Sequence, residues 1–255
     1  MRAFRSLVWR HYRAHGRSMP WRNNRTPYRV LVSEIMLQQT TVAMVTPRYM
    51  AFVRKFPSFR RLAAASVAEV VAAWKGLGYN RRALALRECA RLVTERHAGR
   101  LPRSAEELVK LPGVGPATAA AVVVYAFDVP HAFVEANIRR VFLHFFFPRR
   151  TAVPDSVLLP LVEQSMDRRR PREWFYALMD YGTFLARGAD RSAATASRRS
   201  SRYRRQAAFE GSLRQLRGKV LDVLIIEREA TEARMKTLLG PDPRLVEALA
   251  QLVSE

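Results

Sequence analysis

The chain has 255 residues and a mass of 29.2 kDa, enough for a sizeable core in one large domain or two unequal ones. Hydrophobic residues make up 49% of it, which excludes disorder throughout, and 44 Lys and Arg against 22 Asp and Glu leave a formal charge of +22, for which a polyanion is the natural partner. The single cysteine, Cys89, excludes an intramolecular disulfide framework and a Cys-cluster metal site.

In chain order the pattern is helical nearly everywhere. The opening MRAFRSLVWRHYRAHGRSMPW has the apolar spacing of an amphipathic helix and no signal-peptide core. No apolar run approaches the ~20 residues that span a bilayer, so the expected location is the cytoplasm, at the bacterial nucleoid, or the nucleus. Thr26-Pro27 and Thr46-Pro47 each place a capping hydroxyl before a proline suited to a first helical position. Ser66 with Glu69, and Ser104 with Glu107, read as capping boxes. VAEVVAAW and NRRALALRECARLVTERH carry helical spacing, and Cys89 within the second reads as a core thiol. VVVY at 122–125 is short and lies in a helical context; FLHFFF at 142–147 is ambiguous alone. The chain reads as all-α. Residues 186–206, rich in Arg, Ser and Ala, read as an exposed basic linker or arm. Residues 207–255 read as three short helices, either a helix-turn-helix-like tail or a helical subdomain packed on the body. His97, His131 and His144 are too scattered for a metal site, and none is assigned beyond an ion at the hairpin carbonyls.

Three features carry chemistry. In SAEELVKLPGVGPATAAAVVVYAF, 104–127, a capped helix ending at Leu111 is followed by a tight turn and a small-residue helix opened by Pro116. Gly113 and Gly115 permit φ > 0 and close approach, and unpaired N–H groups there form a cradle for a DNA phosphate; an ordinary helical hairpin is the plainer reading. Glu34 has Val30, Leu31, Leu37 and Gln38 as its helical neighbours, so its carboxyl has no local cation. Desolvation then raises its pKa toward that of a general acid; a distant arginine partner is the alternative. Glu135 precedes a helix begun near Asn137, whose N-terminus favours the ionised form. It either caps that helix or forms, with Glu34, the neutral and ionised pair that glycosidic cleavage uses.

With these residues in view, the chain resembles the helix-hairpin-helix DNA glycosylases of the endonuclease III superfamily, most closely the adenine glycosylases of the MutY type. The resemblance lies in MPWR (19–22), TPYRVLVSEIMLQQTTVAMVTPRY (26–49), AAWKGLGYNRRALAL (72–86), LP (101–102), LVKLPGVGPATAAAV (108–122), VEANIRRV (134–141) and ALMDYG (177–182). It covers about residues 5 to 190, so residues 1–190 are expected to form the glycosylase domain, 186–206 the linker and 207–255 the tail. The resemblance implies two helical lobes flanking a DNA cleft and a base flipped out for hydrolysis. It also implies adenine mispaired with 8-oxoguanine or guanine as substrate, and double-stranded DNA as partner of a monomer. It makes Glu34 the catalytic acid, Glu135 and Asn137 the carboxylate and its polar neighbour, and Gln39 and Tyr79 the residues that wedge into the base stack, with Gln38 beside them. Trp21 and Arg22 would line the adenine pocket, and Gly113, Val114 and Gly115 would grip phosphate.

The chain departs from that pattern in three places. Glu135 stands where the family has Asp, and Ala117 where lyases carry Lys and adenine glycosylases Tyr, so a monofunctional enzyme is expected. The four cysteines of an iron–sulfur cluster are absent from LARGADRSAATASRRSSRYRR, so no cofactor is expected. Arg187, Arg191, Arg198, Arg199, Arg202, Arg204 and Arg205 become candidates for phosphate contacts. Residues 207–255 do not match the long domain that reads 8-oxoguanine, which leaves the opposite base open. The alternatives are a mismatch glycosylase for another base, such as T opposite G, and a non-catalytic helix-hairpin-helix DNA-binding protein.

Overall fold

Hydroxyl caps set many of the helix boundaries. The computed structural model describes residues 1–188, 190–203 and 209–253, and their regular elements are all helical, with no strand beyond one isolated bridge between Val153 and Ser200. In chain order these are α1 (Arg2–His15), α2 (Pro20–Asn23), α3 (Pro27–Leu37), α4 (Val42–Lys55), α5 (Phe59–Ala63), α6 (Val67–Trp74), α7 (Arg81–Arg96) and α8 (Ala105–Leu108). There follow α9 (Pro116–Phe127), α10 (Ala136–Phe146), α11 (Asp155–Ser165), α12 (Pro171–Arg187), α13 (Arg191–Ala194), a 3-10 turn (Ala196–Arg199), α14 (Leu213–Glu227), α15 (Glu232–Leu239) and α16 (Leu245–Val253). Thr26 caps α3 ahead of Pro27, Ser66 and Glu69 form the reciprocal box on α6, and Ser104 accepts from Glu107 N on α8.

Two boundaries differ from the sequence reading. Thr46-Pro47 is not a helix start: α4 begins earlier, at a Thr41 cap, and carries Pro47 inside it. The proline ring removes one N–H from the ladder, while Thr46 Oγ1 donates to Val42 O and Arg48 donates to Met44 O, so side chains serve carbonyls of that turn. The first hairpin helix ends at Leu108, and single turns carry the chain on to Leu111. Both ambiguous stretches are helical, VVVY within α9 and most of FLHFFF within α10.

One continuous core runs from Phe4 to Ala196. The helices from α3 to α9 pack on one another, while α1 packs with α12 and, through the Phe4 ring, with α10; α9 touches both groups, through α3 and α12. The chain's two ends of this body therefore build one lobe and its middle the other. Gly182 lets α12 and α10 cross closely, because a Cβ there would lie 2.5 Å from Asn137 O.

Residues 190–203 are not an open arm. Ala193 and Ala196 are buried, Val153 N donates to Arg199 O, Ser201 N donates to Val153 O, and the 3-10 turn packs on α10. Alanines let this basic stretch approach the body closely, a feature that composition alone hides. The tail helices α14–α16 bury Val220, Val223, Met235 and Leu245 in a second small core. They meet the body through Lys75–Asp222 (2.9 Å) and a hydrogen bond from Arg214 to Tyr79 Oη (3.2 Å). Between 209 and 253, seven Lys and Arg balance seven Asp and Glu. These helices therefore form a small core of their own with no excess of positive charge among residues 209–253.

Candidate active site

Glu34 sits near the end of α3, whose Val30, Leu31, Val32, Ile35 and Met36 are all buried in the core. That packing fixes its carboxyl deep in the protein, with only part of its surface open to solvent and no hydrogen-bond partner among the described residues. Burial pushes its pKa up to about 8, the nearby Glu135 charge adds to the rise, and Arg22 opposes it. At neutral pH the group is predominantly the neutral acid.

Glu135 comes to the same region from the N-terminus of α10, where it is the capping residue. Its Oε1 accepts from Asn137 N at 2.7 Å and Ile138 N at 2.8 Å, and Oε2 has no partner among the described residues. The helix terminus favours ionisation as the sequence predicts, through both N–H bonds and with help from Arg139 and Arg140. Burial outweighs them, and the net direction for Glu135 is upward. The two carboxyls still differ in kind: Glu135 has donors and cations to hold a charge, while Glu34 has neither within bonding range. Glu34 is thus the better placed of the two to stay protonated, because burial raises its pKa with no bonded donor to offset the rise. Asn137 Oδ1 accepts from Arg140, which also donates to Gly182 O, so the start of α10 is tied to α12.

The other expected residues fall into different settings. Trp21 is buried with its ring edge-on to Tyr49 at 5.3 Å. Arg22, also buried, donates to both oxygens of Asp180 (2.8 and 2.9 Å) and to Arg17 O, and its guanidinium lies 4.3 Å over the Tyr176 ring. An open cavity of about 350 Å³ borders Arg22 and Tyr176, together with Tyr12, Arg17, Asn23 and Arg25, but neither carboxylate lines it. Gln38 is not free for a ligand, since its amide donates to Gly113 O and Thr118 Oγ1 (both 3.1 Å) and struts α3 against the hairpin. That bond also occupies a hairpin carbonyl offered for an ion. Among the described residues no group of three or more His, Cys, Asp or Glu converges on a metal position.

Gln39 and Tyr79 are exposed and both take positive φ, 54° and 49°. The residue that holds them is Arg82, which the sequence reading missed. Its guanidinium donates to the carbonyls of Ile35, Met36 and Gln38 on one side, to those of Leu77 and Gly78 on the other, and to Thr40 Oγ1. With neutral acceptors only, burial lowers its pKa to about 10. Nothing local marks it among so many arginines.

In the hairpin Gly113 has φ 77°, and a Cβ there would meet Ala85 Cβ at 3.0 Å. Gly115 does not need a left-handed backbone: it caps α9 at φ −79°, and a Cβ on it would meet nothing within 4 Å. Val114 is buried and its N–H donates to Leu111 O. The N–H groups of Gly113, Gly115, Ala117 and Thr118 find no acceptor among the described residues, which leaves a cluster of donors at the start of α9.

Of the arginines from the end of α12 onward, Arg187, Arg191 and Arg198 are exposed. Arg199 is instead an internal tie to Leu143 O and Ser192, and Arg202 pairs with Asp155 at 3.1 Å; Arg204 and Arg205 lie outside the described residues. The residues at this place do not fit an iron–sulfur cluster. Thiolates are needed, and the one cysteine of the sequence, Cys89, is buried in α7 with burial pushing its thiol up to about 12.

Fold and site together define a class. The model of the HhH-GPD superfamily of base excision DNA repair proteins matches residues 32–161, and the chain belongs to that superfamily. Among curated relatives, it is similar to the adenine DNA glycosylase of Mus musculus (40% identical over 194 residues, 71% of this chain and 37% of that protein). It is also similar to that of Mycolicibacterium smegmatis (35% over 227 residues, 82% and 75%). The chain thus spans little more than a third of the mouse protein. Among solved structures it is similar to a thermostable thymine-DNA glycosylase, with a TM-score of 0.66 at 30% identity over 74% of this chain and 88% of that one. No helix among the described residues is long and apolar enough to cross a membrane.

Proposed function

We propose that the chain is a monofunctional DNA glycosylase of base-excision repair that hydrolyses the N-glycosidic bond of a flipped adenine mispaired with 8-oxoguanine or guanine. The observation that carries this reading is the carboxyl pair: Glu34, held by buried α3 residues with no hydrogen-bond partner among the described residues and its pKa pushed up by burial, and within its electrostatic range Glu135, whose Oε1 accepts from two backbone N–H groups. Glu34 gives its proton to the ring nitrogen, and the bond electrons leave with the base. Glu135, through the Oε2 that has no partner among the described residues, stabilises the oxocarbenium ion that remains and takes a proton from the water that adds to the sugar carbon. Donors at the start of α9 take a backbone phosphate, while Gln39 and Tyr79 offset the few kcal/mol that extrusion costs. The names of the curated relatives support adenine as the base. Ala117 offers no amine for strand cleavage, and the chain works without an iron–sulfur cluster.

Single-turnover incubation with A:8-oxoG, A:G, T:G and uracil-containing duplexes tests this, with Glu34→Gln as control. Adenine release that vanishes in the variant, with strand breaks only after alkali or heat, is the expected result. Release of thymine alone would instead favour the reading supported by the similarity to a thymine-DNA glycosylase. Salt-sensitive binding with no base released from any duplex would refute both.

A further inference from the structure

Tyr125 projects from α9, which packs against α3. Its hydroxyl is out of contact with solvent and meets no hydrogen-bond partner among the described residues. Buried hydroxyls are almost always paired, and a phenylalanine would fill this space without leaving a polar atom unsatisfied. The ring has no freedom to search for an acceptor. It stacks on Tyr176 at 4.7 Å and 10°, meets Phe133 edge-on at 5.9 Å, and Tyr176 is covered on its other side by Arg22. Burial, then Glu34, Tyr176 and Glu135 hold the phenol protonated, with Arg22 alone opposing. A buried, unpaired donor therefore lies within electrostatic range of two carboxyls and is bonded to neither.

The reaction creates the acceptor. When Glu34 protonates a departing base it becomes a carboxylate in a site that Glu135 already makes negative. The titratable and charged groups within electrostatic range of it are Glu135 from the cap of α10, Arg22 from α2, Tyr125 from α9 and Tyr176 from α12, with Arg139 and Arg140 acting on Glu135. Arg22 has already given donors to Asp180 and Arg17 O. We infer that the Tyr125 hydroxyl is a positioning group for base excision, donating a hydrogen bond to the Glu34 carboxylate as it forms. The proton passes from Glu34 to the base, the glycosidic electron pair goes with the base, and Tyr125 keeps its own hydrogen throughout.

This inference rests on the glycosylase reading, and its test separates the two. Tyr125→Phe removes one oxygen and keeps the stack. On the duplex that the parent protein processes best, single-turnover base release is expected to fall about ten- to a hundredfold, with duplex affinity within twofold of the parent. The alkaline limb of the pH–rate profile moves to higher pH, because the donor that favoured ionised Glu34 is gone, and the melting temperature stays level or rises. A variant with the parent's rate and the parent's alkaline limb overturns the inference and leaves the glycosylase reading standing. A slower variant whose limb is unmoved, or whose loss follows weaker binding or a lower melting temperature, also overturns it, since the ring would then be structural. A parent that releases no base from any duplex ends both.

Discussion

Replacing Asp180 by Asn should destabilise the body strongly, because it takes the anion from a buried ion pair. The carboxylate is almost wholly out of solvent and accepts four hydrogen bonds. Oδ1 accepts from Arg17 Nε (2.7 Å) and an Arg22 terminal nitrogen (2.9 Å), and Oδ2 from the other Arg22 terminal nitrogen (2.8 Å) and Arg17 N (2.9 Å). An asparagine keeps the shape but turns an amide N–H₂ toward those donors and leaves the buried Arg22 charge without its anion. Breaking one side of a buried ion pair costs about 3–5 kcal/mol, which for a chain of this size lowers the melting temperature by roughly 6–20 °C. Burial alone would raise the Asp180 pKa, but the bonds and charges of Arg22 and Arg17 outweigh it and hold the group below the usual aspartate value. Its contribution is therefore complete above the unfolded value of 3.8 and is lost as pH falls through the lower folded one. Thermal melts followed by circular dichroism at pH 7 and through the acid range measure both effects. A variant melting within about 2–4 °C of the parent at pH 7, roughly 1 kcal/mol, would refute the reasoning. So would an acid limb of stability that the substitution leaves unchanged.

Glu34→Gln is expected to abolish base release and yet stabilise the fold. Its folded pKa of about 8 stands above the unfolded 4.5, so the parent loses stability as pH rises between them, by at most about 1.4 kcal/mol per pH unit; denaturant titrations at pH 5 and pH 8 should show a gap that widens with pH, and a constant gap would count against a neutral buried acid. Arg82→Lys keeps the charge but cannot reach acceptors on two sides with one ammonium. We expect a loss of about 1–3 kcal/mol and faster amide exchange across residues 36–40 and 76–80, and unchanged exchange there would show that the guanidinium does not hold those loops.

Much of the architecture was legible in the sequence because it rests on local rules. The caps at Thr26, Ser66 and Ser104 and the periodicity of α7 act within one or two turns, and the structure obeys them. Glu34 could be singled out because an acid without a cation at helical spacing is a local anomaly. The misreadings lie where distant chain decides. Thr46-Pro47 has the form of a helix start, but the chain is already helical from Val42. The arginine-rich stretch after α12 has the composition of an arm, yet Ala193 and Ala196 give it a buried face. Arg22 and Gln38 carry donors that a ligand would suit, and both are used internally, by Asp180 and by the hairpin. Tyr125 is one of two aromatics in a helix of small residues, and what sets it apart is that its buried hydroxyl has no partner among the described residues.

The span of Arg82 has a consequence for how the protein meets a duplex. One side chain clasps the end of α3 and the turn before α7, and the exposed residues at 39 and 79 stand at the two edges of that clasp. Their left-handed backbones are therefore set during folding. In the proposed glycosylase role the two tips would act as one rigid prong with little conformational entropy left to lose, and discrimination between strained and sound base pairs would fall on the deformability of the DNA rather than on any rearrangement of the protein.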